Sequence, residues 1–291
     1  MLALVCLSCK NDPKGASVSA TNKDIPTNKA DINLNVSLLL DLSDRIDTIK
    51  YPNESMEFYL RDLGYIESIS NAFVEHLSKK KLRVMDDKIA VFFSPEPKNP
   101  KINTISQNLK FHVTKNNATL GLFENIKSTY SKKSKEIYEQ ALTDGQYIGS
   151  DTWSFFKNKV ETFCIDDDSR NLLIILTDGY LYYLDNLRKQ DNLSTYLTPQ
   201  YIKSNQLGKS DWKVRVDDQK YGFIPAAENL GELEILVLGI NPSTSSVYDD
   251  DVIKTYWQNW FEEMGVGYYE LRNAELPSDM DPIIREFINR K

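Results

Sequence analysis

Three stretches of this chain, residues 36–40, 172–176 and 235–238, are apolar almost without a break. A strand buried on one face alternates apolar with polar residues. A strand buried on both faces reads as a continuous apolar run, the signature of an interior parallel sheet. Residues 89–93 make a fourth such run, 109–113 a weaker fifth and 267–271 a sixth nearer an edge. Between the runs lie helical patterns. Ile66, Ile69, Phe73 and Leu77 share one face, as do Phe123, Ile126, Tyr130, Ile137 and Ala141 within 120–141, and Val252, Tyr256, Trp260 and Met264. Residues 152–163 and 281–288 complete the set, with Pro282 expected in a first turn, where its missing N–H costs little. Strands alternating with helices predict an α/β fold: a Rossmann-like, mostly parallel central sheet flanked by helices. The segment 180–230 breaks the rhythm. It is too long for a plain connection and reads as an insertion after the fourth main strand.

Charge and composition narrow the function. The formal net charge of −7 lacks the basic footprint that nucleic acid requires. Only two histidines occur, His76 and His112, so multi-histidine metal sites and most triads are poorly supplied. His76 reads as a helix-boundary residue, and His112 has no evident partner. Of three cysteines, Cys164 follows an apolar stretch and reads as a buried small hydrophobe. The acidic run 166–168 reads as a solvated loop, 249–251 as a helix N-terminus suited to its dipole, and Lys79-Lys80-Lys81 as a solvated helix end.

The chemistry gathers where the strongest strands end. The first runs into Leu40-Asp41-Leu42-Ser43-Asp44-Arg45, and the strand 172–176 into Thr177-Asp178-Gly179. In open α/β sheets the crevice at the carboxyl ends of the strands is where ligands bind. Asp41 and Ser43 stand two residues apart on a chain leaving its strand, and Gly179 permits a turn that aims Asp178 at the same crevice. Gly149-Ser150-Asp151-Thr152 adds small hydroxyls at a helix start. Singly these residues are ordinary caps and turns. Together they form a hard-oxygen set suited to Mg²⁺, Mn²⁺ or Ca²⁺.

At these positions the chain resembles the von Willebrand factor A domains. Their metal-ion-dependent adhesion site takes Asp-x-Ser-x-Ser after the first strand, a Thr from a loop before a helix, and an Asp from a later strand ending in Thr/Ser-Asp-Gly. Asp41 and Ser43 match the first two positions and Thr177-Asp178-Gly179 the last. Ser150 best matches the Thr, with Thr152 second. The resemblance implies a divalent cation held by Asp41, Ser43, Ser150 and Asp178, with an open position for a protein partner's acidic side chain. Arg45 stands where the third Ser belongs, and a guanidinium cannot ligate a metal. Either Arg45 points away and Asp44 or water fills the gap, or it replaces the cation by pairing with Asp41 or Asp178. Arg45, Tyr180, Tyr182 and Tyr183 are the candidate partner-facing residues. The alternative is a metal-assisted phosphate-ester hydrolase with Asp41 as nucleophile; against it, Ser43 stands where haloacid-dehalogenase-like phosphatases keep a second Asp.

The first nine residues, MLALVCLSC, resemble the end of a bacterial lipoprotein signal peptide, with Ser8 before a lipidated Cys9. They depart from it in Cys6, where Leu is usual, in shortness and in lacking a basic start. The polar stretch 10–31 then reads as a flexible tether, and 32–291 as the folded domain. A lipid on Cys9 implies anchorage in the bacterial cell envelope; a cytoplasmic chain with an apolar tail is the alternative.

Overall fold

The computed structural model describes residues 17–19, 31–243 and 245–290. Its central sheet has seven strands: β1 (Ser17–Ser19), β2 (Asn33–Leu40), β3 (Asp86–Phe92), β4 (Phe111–Thr114), β5 (Ser169–Leu176), β9 (Leu233–Ile240) and β10 (Tyr268–Asn273). They lie in the order β1-β10-β9-β5-β2-β3-β4. The inner five run parallel, while β1 and β4 close the edges antiparallel. The fold is therefore α/β with a mostly parallel sheet. Two expectations shift at the edges. The run 109–113 becomes a short antiparallel edge strand, and Ser17–Ser19, inside the expected tether, pairs with β10. Cys9 lies outside the described residues.

The continuous apolar runs are continuous because alternate residues feed two cores. From β2, β5 and β9, Val36, Leu38, Leu172, Ile174, Leu236 and Leu238 face one side. Leu39, Leu173, Ile175, Ile235 and Val237 face the other. The first core is covered by α1 (Phe58–Lys79), α3 (Leu120–Asp144) and α9 (Pro277–Asn289), and the second by α4 (Thr152–Asn158), α5 (Val160–Phe163) and α8 (Asp249–Glu263). By contrast β3 alternates, since its edge neighbour β4 is short. A helix missing from the sequence reading, α2 (Pro100–Gln107), starts with Asn99 accepting from Lys101 N–H and Pro100 in its first turn. In α9 that first-turn role falls to Pro277, so Pro282 lies inside the helix instead.

The insertion is ordered: β6 (Lys189–Gln190), β7 (Leu193–Ser194) and β8 (Gly222–Phe223) form a small sheet, with α6 (Pro199–Ser204) and α7 (Trp212–Gln219) beside it. It is riveted to the second core. Trp153 of α4 and Trp260 of α8 both donate their indole N–H to the Ile224 carbonyl, at 2.7 and 2.9 Å.

At the amino edge of the sheet, Lys80 is not solvated as its neighbours are. It turns under the sheet to Asp87 (2.7 Å), whose other oxygen meets the Leu34 N–H (2.8 Å) and His76 (3.2 Å). Those partners hold the Asp87 carboxyl below its usual range although burial opposes them. His112 does find a partner, the exposed Asp86 across the β3–β4 pair. Cys164 is fully buried, and burial pushes its thiol up to about 12, which makes it inert. No helix among the described residues is long and apolar enough to cross a membrane.

Candidate functional site

The site grows out of the β2–β5–β9 ladder. Asp41 N–H donates to the Leu176 carbonyl (3.0 Å) and Thr177 N–H to the Leu238 carbonyl (3.0 Å), which carries the ladder one residue past each strand. Both loops therefore leave the sheet from fixed points. Asp41 is 4% exposed and its carboxylate is fully engaged. Oδ1 accepts from Ser43 N–H (2.8 Å) and Oδ2 from Thr177 Oγ1 (2.9 Å). A carboxylate bound on both oxygens beneath the loop is poorly placed to attack a substrate. Its role is to shape the turn that presents Ser43.

Gly179 adopts φ +93°, and the chain turns there so that Asp178 lines the cleft, its Oδ1 accepting from Tyr180 N–H at 3.0 Å. Ser150 arrives from the loop before α4. Its N–H donates to the Tyr182 carbonyl at 2.8 Å, while Asp151 caps α4 through Ser154 N–H (3.0 Å) and takes a bond from Asn186 (2.8 Å). This loop is thus clamped by the insertion. Gly149, with φ +99°, makes the clamp possible: a Cβ there would lie 2.0 Å from the Tyr182 carbonyl oxygen. Gly149→Ala should force that bridge open and cost on the order of 2–3 kcal/mol, through strain plus a lost backbone pairing. Chemical denaturation checks this, and an unchanged midpoint would mean the clamp is loose.

Ser43, Ser150 and Asp178 line one cleft of ≈ 850 Å³ at the carboxyl edge of the sheet, together with Asp44. Asp44 is half-buried and ion-paired to Lys50. Thr152 does not join them. It is the first residue of α4, 2% exposed, and is not among the residues that line the cleft. Tyr180 and Tyr182 also line the cleft; Tyr180 takes Ser243 N–H on its hydroxyl (2.9 Å), and Tyr182 is exposed. Tyr183 stands half-buried beside them and donates to Asp185 (2.9 Å).

Arg45 follows the first of the two expected courses, pointing away from the ligand set, towards a partner the sequence did not name. Its guanidinium turns inward to Asp62 of α1, and also donates to the carbonyls of Asp41 (3.0 Å) and Leu176 (3.1 Å). Nε stands 3.9 Å from the Asp41 carboxylate. Tyr138 of α3 donates to the same Asp62 oxygen at 2.8 Å. Burial works against the charge, but Asp62 and then Asp41 more than offset it and hold the Arg45 pKa above its ordinary value. Arg45 lines the cleft, but at 5% exposure and with its donors taken by Asp62 and two carbonyls the guanidinium has little left to offer a partner. Asp62 and Tyr138 are the site residues missed, and the role of Thr177 as a donor to Asp41 was not foreseen. One signal existed: Asp62 sits on the apolar stripe of α1, one turn before Ile66.

Four carboxylates (Asp41, Asp44, Asp62, Asp178) thus face two cations (Arg45, Lys50). Arg45 goes to Asp62 and Lys50 to Asp44. Asp178 makes no ion pair, and burial together with the Asp41 charge pushes its carboxyl up to about 7 although the Arg45 charge opposes them. Among the described residues no group of three or more His, Cys, Asp or Glu is placed to hold a metal. A cation here would depend on hydroxyls beside Asp178. The donors fit that in type, all being hard oxygen.

No protein-family model matches the chain, and no curated protein matches it. Among solved structures it is similar to the pilus adhesin SpaC from Lactobacillus rhamnosus GG, at 12% identity and a TM-score of 0.39. That match covers 94% of this chain and 32% of the adhesin, so the chain spans about a third of the adhesin's length.

Proposed function

We propose that this chain is a protein-binding module of the von Willebrand factor A kind. Its cleft holds a divalent cation on Ser43, Ser150 and Asp178, and a partner's carboxylate completes the coordination. The observation that carries the reading is the placement of Arg45. Arg45 lines the cleft, but its pairing with Asp62 commits its charge there, and Lys50 pairs with Asp44, so Ser43, Ser150 and Asp178 have no ion pair across the cleft. Water, or Asp44 after release from Lys50, takes the place of the third Ser. The cation would hold an acidic side chain against the floor, since the cleft's own cations, Arg45 and Lys50, are paired with Asp62 and Asp44. In the same reading Cys9 carries the lipid that tethers the module to a bacterial cell envelope.

Calorimetric titration of Mg²⁺, Mn²⁺ and Ca²⁺ tests this. One-site binding is expected, weakened about tenfold or more by Ser43→Ala and by Asp178→Ala, as removal of a ligand requires. A folded wild-type protein that binds none of the three ions sinks the reading.

A further inference from the structure

β1 borders the outer side of β10 for only half its length. Ser17, Val18 and Ser19 pair antiparallel with Glu270, Tyr269 and Tyr268. The edge of Leu271, Arg272 and Asn273 is left unpaired among the described residues. That open edge is the floor of a groove of ≈ 850 Å³, separate from the cleft. α8 walls it on one face of the sheet with Asp251, and α9 on the other with Met280. A bare strand edge is a template for a further strand, and proteins rarely leave one open.

The register of β1, continued backwards, sets Ala16 opposite Leu271, Gly15 opposite Arg272 and Lys14 opposite Asn273. Residues 14–16 lie outside the described residues, and the register alone places them along the groove. Opposite residues of an antiparallel pair share a face. Position 14 therefore falls on the α8 face, where Asn273 donates to Asp250 at 2.8 Å. Charge agrees. Lys254 is spent on Asp250 and Arg272 on Glu270, so Asp251 and Glu275 are opposed only by Lys213 among the groove's ionic side chains. One negative charge is left over, and residues 10–16 carry Lys10 and Lys14 against Asp12, a balance of +1. Pro13 comes opposite Ala274, where β10 has ended and the Ala274 N–H is turned to the Ile240 carbonyl at 2.9 Å. Its missing N–H therefore breaks no ladder. We propose that residues 14–16 fill the groove as an extension of β1, matching the whole of β10, with Lys14 on the acids of α8. The tether that precedes the sheet then shrinks to residues 10–13. In the lipid-anchored reading above, at most about 17 Å of extended chain separates Cys9 from the sheet, which holds its carboxyl edge close to the membrane.

Hydrogen exchange of the full-length protein, read by mass spectrometry, tests this. The segment 14–16 is expected to exchange about tenfold or more slower than an unpaired chain, as 17–19 does. Asp251→Lys, at an exposed position, should speed exchange at 14–16 about threefold. Adding Lys14→Glu to that variant should restore the slow rate, since the swap rebuilds the pair. Free-chain exchange at 14–16 beside a protected 17–19 overturns the inference. So does an Asp251→Lys variant that exchanges as wild type does, or a double variant that is not rescued. Protection that rises with protein concentration means that a second copy supplies the strand, which overturns it as well. Exchange is measured in EDTA, so failure here leaves the cation reading untouched, and failure to bind a cation leaves this inference standing.

Discussion

Asp62→Ala is expected to destabilise the protein by about 3–5 kcal/mol, the cost of leaving a buried charge without its partner. Asp62 is 1% exposed and Arg45 5%, and the two meet between α1 and the loop after β2. Removing the carboxylate leaves a guanidinium satisfied only by two backbone carbonyls, with the Tyr138 hydroxyl without an acceptor. At roughly 2–4 °C per kcal/mol the melting temperature should fall by about 10 °C. The double variant Arg45→Met/Asp62→Leu should return to within about 1 kcal/mol of wild type or above it, because it removes both charges and fills their volume. Urea unfolding of the three proteins completes the cycle. A single variant that costs under about 1 kcal/mol would mean that water reaches the pair. A functional consequence follows from the same contact. With Asp62 gone, Arg45 is free to turn to Asp41, 3.9 Å away, and to the cleft, so cation binding should weaken although no ligand was touched.

Which parts of this arrangement could be read from the sequence follows from how each is built. The three strongest strands were legible because both their faces are buried, which suppresses the alternation that would mark a one-sided sheet. The convergence of Ser43 and Asp178 was legible too, since strand ends in a parallel sheet share one edge whatever the side chains do, whereas Ser150 joins them from the loop before α4 through its bridge to Tyr182. The fate of Arg45 was not. Its partner is seventeen residues away on a helix, and a helical stripe shows that Asp62 faces inward but not what it meets there. Lys80 illustrates the same gap: within Lys79-Lys80-Lys81 only the middle residue turns under the sheet, to Asp87. The α4–α5 break at Lys159, inside the expected helix 152–163, has no Gly or Pro to announce it. The insertion hid its elements because its strands are two residues long and its order comes from Trp153 and Trp260 outside it.

Asp178→Asn is expected to do two opposite things. Without divalent ions at pH 8 it should stabilise the protein, and it should abolish whatever stabilisation a cation brings. The carboxyl of Asp178 sits near 7 in the fold against an ordinary 3.8, because burial and the charge of Asp41 both oppose ionisation. The folded state therefore binds more protons than the unfolded state between about pH 4 and pH 7. Stability falls as pH rises through that window, and above it the ionised group remains a cost. That cost is on the order of 2–4 kcal/mol, so the variant should melt roughly 5–10 °C higher at pH 8 and track wild type near pH 4. Asn retains a carbonyl for the Tyr180 N–H, so the turn itself survives. Mg²⁺ should raise the wild-type melting temperature at pH 8 and lose that effect below about pH 6, where the proton competes for the same oxygens. Scanning calorimetry of both proteins at pH 4, 6 and 8, with EDTA or with Mg²⁺, reads all of this. Parallel wild-type and variant curves across pH would mean that Asp178 already has a cation within the protein, and the cleft would then have no use for a metal. A residue that weakens its own fold when unoccupied and repays this only when a ligand arrives is the expected mark of a binding site.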